Sequence, residues 1–232
     1  MHGFLESSSM WKDLPLETLK IQSILIDLPG HGSSPLSDEF SKNRSVGQMA
    51  DEVIELIDHL GIKEFNIVGH SMGGYVALEV KNKRPLCQKV VLLNSNYWED
   101  AVPKKRDRKR IAKLAFESKN YFIRKAIPSL FIDPKKYQKE VTLLLDEAFQ
   151  IKAEAIAFSS LAMAARKNWK NLNPKGDYYL IHGANDRLLS RGQIDHHIIN
   201  SENVFIIKDG GHMCHIESPK EVFKVLNEIL FT

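Results

Sequence analysis

Short apolar runs alternate along the chain with longer segments in which apolar residues recur every three to four positions. The runs are rich in Ile, Val, Leu and Tyr and end near Gly, Asn or His, which is typical of buried parallel strands. They predict five strands, over residues 21–28, 65–69, 89–94, 177–182 and 203–208. Strands that alternate with helical segments indicate an α/β fold, with a mostly parallel sheet and helices on both faces.

Two of the helical segments begin with capping boxes. Ser45 is followed by Gln48, at the start of a segment that ends at Gly61. Near the end of the chain, Ser218 is followed by Glu221. In this motif the serine and the later side chain satisfy the first free amides of a helix, so both segments are predicted to be helices.

Residues 99–170 interrupt the alternation, because they contain one helical segment after another and no convincing strand. We predict that this stretch is an inserted helical cap. The core domain then comprises residues 1–98 and 171–232. Apolar side chains of such a cap are interpreted as holding its helices together, and the alternative is that they line a substrate pocket over the sheet.

Composition narrows the class of partner. The 232 residues carry a net charge of +3, too close to neutral for the one-signed surface field of a nucleic-acid-binding protein. The two cysteines, Cys87 and Cys214, do not form a disulfide framework, and the sequence has neither a leader pattern nor a long apolar stretch. We therefore expect a cytoplasmic protein with a small-molecule substrate, without nucleic-acid or membrane partners. The oligomeric state is left open.

The sequence Gly69-His70-Ser71-Met72-Gly73 lies between a predicted strand and a predicted helix. This is the context of a nucleophile elbow, in which a strained turn lifts a serine above the sheet edge. Side chains at the two glycine positions would collide across the turn. Ser71 is the candidate nucleophile, and the backbone amide of Met72 is a candidate oxyanion donor at the helix N-terminus.

A serine needs a base and an orienting acid to act as a nucleophile. His212 follows the strand at 203–208 on a glycine-rich loop, and Asp186 follows the strand at 177–182. Both lie at carboxyl ends of strands, where parallel sheets place their sites. The chain order Ser71, Asp186, His212 is that of one serine-hydrolase architecture. This chemistry requires neither a metal nor an organic cofactor.

Other assignments of these roles are open from the sequence. His215 is an alternative base, and His212, Cys214 and His215 together are an alternative metal site. Glu99 or Asp100, after the strand at 89–94, is an alternative acid.

A basic run begins the predicted cap: Lys104, Lys105, Arg106, Arg108, Lys109 and Arg110. It is interpreted as a solvated helix face, and the alternative is attraction of a carboxylate substrate.

Five motifs in this order resemble the capped α/β-hydrolases, a group that includes esterases, lactonases and carbon–carbon bond hydrolases. The motifs cover nearly the whole chain: HGF from His2, DLPGHGSS from Asp27, GHSMGG from Gly69, HGANDRL from His182 and GGHMCHIESP from Gly210. The resemblance implies a helical cap between the sixth and seventh strands. It also implies that the backbone amide of Phe4, after the His-Gly pair, is the second oxyanion donor.

These observations favour a serine hydrolase that cleaves a carboxylic ester, thioester or lactone through an acyl-enzyme. Ser71 excludes the aspartate nucleophile of the dehalogenase-like relatives. One alternative is a lyase that uses the same triad, as in the pyruvate elimination of menaquinone synthesis, and another is a carbon–carbon bond hydrolase. A non-catalytic ligand-binding protein of this fold is the alternative from a different class.

The sequence departs from the resemblance at its beginning. In the family, a hairpin and a central strand precede the His-Gly pair, whereas only Met1 precedes His2 here. The missing central strand belongs between those containing Ile24 and Val68. We expect either a natural start further upstream or replacement of this strand from elsewhere, because unpaired central strands leave buried backbone groups unsatisfied at about 1–3 kcal/mol each.

Overall fold

A parallel sheet of four strands organises the structure, a computed structural model that describes residues 1–37, 44–169, 176–197 and 202–231. The strands are β1 (Phe65–His70), β2 (Cys87–Leu93), β3 (Tyr178–Gly183) and β4 (Val204–Ile207). They follow one another in space in chain order, and each neighbouring pair is parallel. The helices are α1 (Val46–His59), α2 (Met72–Lys83), α3 (Val102–Glu117), α4 (Lys119–Ser129), α5 (Gln138–Gln150), α6 (Ala153–Ala164), α7 (Arg191–His197), α8 (Cys214–Glu217) and α9 (Pro219–Phe231).

The sheet is covered on both faces, which confirms the predicted fold class. Val90 and Leu92 of β2 contribute to a core that contains residues of α1 and α2. Val91 and Leu93, whose side chains alternate with these, contribute to a second core that contains Leu226 and other residues of α9. A strand segment buried on both faces has no polar alternation, and this explains the continuous apolar sequence of residues 90–93.

Four of the five predicted strands form, but the strand predicted over residues 21–28 does not. This segment lies outside any described strand, and Ile21, Ile24 and Leu25 are 40%, 40% and 48% exposed. A cavity of about 420 Å³ lies between the segment and β1. The prediction was wrong because a segment with high β-propensity forms a strand only when a neighbouring backbone supplies hydrogen bonds. Here the cavity occupies the place of that neighbour.

The expected gap beside Val68 is thus an apolar groove. Met1 lies at one end of it, where its amino group donates to the Val68 carbonyl at 2.8 Å. The amide of His70 donates to the Met1 carbonyl at 3.0 Å. These bonds attach the first residue to β1 and bring the following residues, His2 to Glu6, to the carboxyl end of the strand.

Both helices with predicted capping boxes form. The Ser45 side chain accepts a hydrogen bond from the Gln48 amide at 3.2 Å, and α1 begins at the next residue, Val46. Gly61 follows the helix with a φ of 65°, a conformation that suits glycine. At the other end of the chain, the Val222 amide of α9 donates to the Ser218 carbonyl at 3.1 Å.

Helices α3 to α6 lie between β2 and β3 in the chain, as expected for residues 99–170. They have a core of their own, in which Ile123, Ile127 and Ile156 are fully buried. Leu5 and Met213 belong to the same core, so it reaches the loops beside Ser71 and His212. The division into a core domain and a cap stays a prediction, and residue 170 at its boundary lies outside the described residues.

No helix in the described part of the chain has both the length and the apolar character needed to cross a membrane.

Candidate active site

Ser71 lies in a sharp turn between β1 and α2, with a φ of 48° and a ψ of −113°. This conformation is costly for a residue with a side chain and persists only where neighbours impose it. The Ser71 amide donates to the Leu93 carbonyl at 2.9 Å, and the Ser95 hydroxyl donates to the Ser71 carbonyl at 2.6 Å. A Cβ at Gly69 would lie 2.3 Å from the Gly73 carbonyl oxygen. The turn therefore requires glycine at this position.

The structure brings Ser71, His212 and Asp186 together, although they are far apart in the sequence. Nε2 of His212 lies 3.1 Å from Oγ of Ser71, and Nδ1 lies 2.8 Å from Oδ2 of Asp186. Because the carboxylate accepts the Nδ1 proton, a neutral imidazole directs the lone pair of Nε2 toward the serine hydroxyl. This arrangement suits proton removal from Ser71.

Burial and charge act in opposite directions on this pair. Burial favours the neutral form of Asp186, but the charge and hydrogen bond of His212, together with bonds from Asn94 and Leu189, lower its pKa well below the usual value. Burial also favours neutral His212, but the charge and hydrogen bond of Asp186 raise the histidine pKa above its ordinary value. Asp186 thus stays ionised and increases the basicity of the imidazole.

Asn94 fixes the acid and the histidine loop together. It follows β2 with a φ of 44°, and its Nδ2 donates to Asp186 Oδ2 at 2.9 Å and to the Gly211 carbonyl at 3.0 Å. Its Oδ1 accepts the Cys214 thiol hydrogen at an Sγ–Oδ1 distance of 2.6 Å. Leu188 and Leu189 donate their amides to the other oxygen of Asp186, at 2.8 Å and 3.1 Å. Both oxygens of the Asp186 carboxylate therefore accept hydrogen bonds that fix its orientation.

A second buried carboxylate, Glu6, reaches the histidine loop through His70. Oε2 of Glu6 accepts the Gly3 amide at 2.7 Å and lies 3.0 Å from Nδ1 of His70. Nε2 of His70 lies 2.9 Å from the His212 carbonyl, which only accepts, so this nitrogen carries a proton. Burial opposes ionisation of Glu6, but the charge and hydrogen bond of His70 outweigh it, so the pKa of Glu6 is below the usual value.

The two candidate oxyanion donors, Met72 and Phe4, come from different segments of the chain. Met72 is the first residue of α2, so its amide belongs to the free first turn of the helix. Phe4 lines the same cavity as Ser71 and His212. The next residue, Leu5, has a φ of 66°, so the backbone bends sharply after Phe4.

The cavity above Ser71 has a volume of about 600 Å³. Its wall includes Phe4, Tyr75 and Trp98, together with residues of α3 and α4. A cavity of this size is in the range of small-molecule sites.

The alternative base and metal site are not assembled. The His215 ring packs against His70, with centroids 4.8 Å apart, and both of its nitrogens are buried without a hydrogen-bond partner among the described residues. Burial lowers the pKa of His215 well below its usual value. The Cys214 thiol is directed to Asn94. Within the described ranges, no group of three or more His, Cys, Asp or Glu side chains is placed to hold a metal ion.

The alternative acids are bound to basic side chains instead. Glu99 forms an ion pair with Lys105. Asp100 lies 3.2 Å from Nε of Arg108 and 2.8 Å from Nη2 of Arg166. Asp186 is the carboxylate that the structure places against His212.

Sequence reasoning missed Asn94 and Glu6. Asn94 had a signal, because it is a polar residue at the carboxyl end of a buried strand, where the site was expected. Glu6 had none, because its contact with His70 joins residues 64 positions apart and belongs to no motif used in the sequence analysis.

Comparison with known proteins shows the family of this chain. The model of the alpha/beta hydrolase family matches residues 1–225, so the chain belongs to the alpha/beta hydrolase family. An uncharacterized hydrolase, YugF of Bacillus subtilis (strain 168), is 41% identical over 106 residues. That match covers 44% of this chain and 38% of the relative, so it spans well under half of the relative's length.

Two solved structures are similar over the whole chain. A thermophilic esterase from Thermogutta terrifontis, solved with malate bound, is 25% identical with a TM-score of 0.87, and the match covers 99% of this chain and 87% of that one. The enol-lactonase from Burkholderia xenovorans LB400 is 20% identical with a TM-score of 0.84, covering 100% and 89%. The second likeness concerns the fold alone.

Proposed function

We propose that this family member is a serine hydrolase that cleaves a small-molecule carboxylic ester, thioester or lactone through an acyl-enzyme. The observation that carries the proposal is the chain of contacts from Ser71 Oγ through the His212 ring to Asp186. Ser71 and His212 line a cavity of about 600 Å³, and Ser71 is held in a strained turn at the start of a helix. The esterase similarity supports the same class of reaction.

In the first half of the reaction, Nε2 of His212 removes the proton of Ser71 as Oγ bonds to the acyl carbon. The carbonyl electron pair moves onto oxygen, where the backbone amides of Met72 and Phe4 donate to the oxyanion. When the tetrahedral intermediate collapses, the bond to the leaving oxygen or sulfur breaks, and His212 returns its proton to that atom. Asp186 holds the imidazole in the required tautomer throughout.

In the second half, water attacks the acyl-serine and gives a proton to His212. Ser71 then leaves as its oxygen takes that proton back, and the carboxylic acid is released. Each cycle consumes one water molecule. The raised pKa of His212 strengthens the base, and it also means that activity is lost on the acid side as the imidazole takes up a proton.

Two wider expectations belong to the same proposal. Residues 99–170 act as a cap, because α3 and α4 form part of the cavity wall above Ser71. A cytoplasmic location is consistent with the two cysteines, Cys87 and Cys214, which are free and buried.

Labelling with a fluorophosphonate probe tests the nucleophile. The intact protein is expected to be labelled at Ser71, and Ser71→Ala to abolish the reaction. Ser129→Ala is the matched control, because Ser129 lines the same cavity but donates its hydroxyl to the Ala126 carbonyl. It is expected to label like the wild type. Failure of the folded wild-type protein to react would refute the proposal and favour a non-catalytic binding protein.

Turnover distinguishes the reaction types. Hydrolysis of 4-nitrophenyl esters supports an acyl-enzyme if it begins with a burst of nitrophenol whose amplitude equals the concentration of sites that fluorophosphonate labels. Labelling at Ser71 without turnover of any ester, thioester or lactone, but with pyruvate elimination from the menaquinone precursor, would favour the lyase alternative.

A further inference from the structure

The basic run at the start of α3 is divided between two environments. Lys104, Lys105 and Arg108 lie in the wall of the cavity that contains Ser71 and His212. Arg106, Lys109 and Arg110 are exposed and are not part of this wall. The division follows helical geometry, because Lys104 and Arg108 are four residues apart and fall on the same side of α3. Lys105 lies about 100° further round the helix, beside them. The whole basic run is interpreted from the sequence as one solvated helix face. The structure instead places three of its cations at the proposed active site.

Two of these three cations have acidic partners. Lys105 forms an ion pair with Glu99. Arg108 contacts Asp100, whose carboxylate also contacts Arg166. The two acids at this end of the cavity are thus engaged by other cations.

Lys104 differs from these neighbours. It is only partly exposed, and it forms neither a hydrogen bond nor an ion pair with any residue that the structure describes. Burial lowers its pKa, and the charge of Arg108 acts in the same direction, whereas Asp100 and Asp107 raise it. A partly desolvated ammonium group that no carboxylate of the described residues contacts is unfavourable, so an anion bound directly beside it is stabilising.

The electrostatic influence of Lys104 extends to the reacting groups. Its charge lowers the pKa of His212, against the larger effect of Asp186. Glu6 and Asp186 do not neutralise Lys104 by contact, because Glu6 is bonded to His70 and Asp186 to His212. A negative group bound beside Lys104 therefore shares a cavity with the nucleophile.

We propose that Lys104 is the anion-binding residue of this cavity, and that the substrates are esters or lactones that carry a carboxylate. The inference rests on the proposed function, which it deepens by naming the substrate class. The carboxylate accepts from the ammonium group of Lys104, while apolar side chains such as Phe4, Ile111 and Phe122 contact the hydrocarbon part.

A matched pair of esters tests this assignment. Mono-4-nitrophenyl adipate ends in a carboxylate, and 4-nitrophenyl 6-methylheptanoate carries an isopropyl group of similar shape at the same place. The quantity measured is the ratio of kcat/KM for the anionic ester to that for the neutral ester. Lys104→Met is expected to reduce this ratio about tenfold, the effect of one charge-assisted hydrogen bond at a partly exposed site.

Lys109→Met is the control, because Lys109 is an exposed lysine of the same helix. The ratio of kcat/KM values of Lys109→Met is expected to stay within about twofold of the wild-type ratio, because the charge of Lys109 lies outside the cavity wall. Increasing ionic strength is expected to reduce the wild-type ratio and to have less effect on that of Lys104→Met. Equal ratios in wild type and Lys104→Met, with both proteins folded by circular dichroism, would overturn the proposal.

A binding measurement separates this inference from the proposed function. Monomethyl adipate is titrated calorimetrically into Ser71→Ala and into the double variant with Lys104→Met, neither of which turns it over. About tenfold weaker binding in the double variant supports the anion site, whatever reaction Ser71 performs. Equal affinities, or no binding to either protein, would overturn the anion site even if fluorophosphonate labels Ser71.

Discussion

Replacement of Asn94 is expected to destabilise the fold and slow the reaction of Ser71. The Asn94 side chain donates two buried hydrogen bonds, to the Asp186 carboxylate and the Gly211 carbonyl. Without them the carbonyl loses its partner and the carboxylate loses one of its donors. A bond to a charged group contributes about 1.5–3 kcal/mol and an unsatisfied buried carbonyl costs about 1–3 kcal/mol, so the expected loss is about 2.5–6 kcal/mol.

Two substitutions separate the hydrogen bonds from the backbone conformation. Asn94→Gly removes the side chain but tolerates the φ of 44°, whereas Asn94→Ala also strains the backbone and is expected to cost about 1 kcal/mol more. Urea unfolding gives the two free energies. The rate of fluorophosphonate labelling is expected to fall about tenfold or more in both variants, because Asp186 and the His212 loop lose a common support.

The reasoning about Asn94 is refuted by a specific result. If Asn94→Gly unfolds within about 0.5 kcal/mol of the wild type and labels at the same rate, the two bonds do not support the site. Asn66→Gly is a useful comparison, because Asn66 accepts one hydrogen bond, from the Lys89 amide, in an exposed position. Its loss is expected to have a much smaller effect on the labelling rate.

Three further predictions concern the same site. Glu6→Gln removes a charge that raises the pKa of His212, so the acid limb of the kcat/KM profile is expected to move to lower pH; an unchanged limb would contradict this coupling. Asp186→Asn is expected to reduce kcat on the order of 10⁴-fold in steady-state assays, because an amide does not stabilise the imidazolium, and a loss below tenfold would argue for another acid. Gly69→Ala places a Cβ 2.3 Å from the Gly73 carbonyl oxygen, so circular dichroism is expected to show a lower melting temperature and labelling to be lost; a wild-type melting curve would contradict the clash.

The sequence was informative where a local pattern determines a local structure. The apolar runs predicted four strands because strands buried on both faces have no polar positions. The spacing of Gly69, Ser71 and Gly73 predicted the turn because a side chain at Gly69 would overlap the backbone of Gly73. The placement of Asp186 and His212 after strands was sufficient to predict that they lie at one edge of the sheet.

Contacts between distant segments were not predictable in this way. Residues 21–28 have the composition of a strand, but a cavity separates them from β1, so no described strand supplies them with backbone hydrogen bonds. The contact between Glu6 and His70 depends on how the first loop bends at Leu5. Only the three-dimensional packing of α3 shows that Lys104 faces the cavity whereas Lys109 faces solvent.

Glu217 links the histidine loop to the connection between α4 and α5. One of its carboxylate oxygens accepts the Gly211 amide at 2.6 Å, and the other accepts the Ile132 amide at 2.7 Å, in the connection between α4 and α5. The backbone next to His212 is thereby tied to the helices above it. If those helices swing outward on this side to admit a ligand, they pull on the loop that carries the imidazole. The position of those helices and the alignment of the base are thereby coupled through the Glu217 carboxylate.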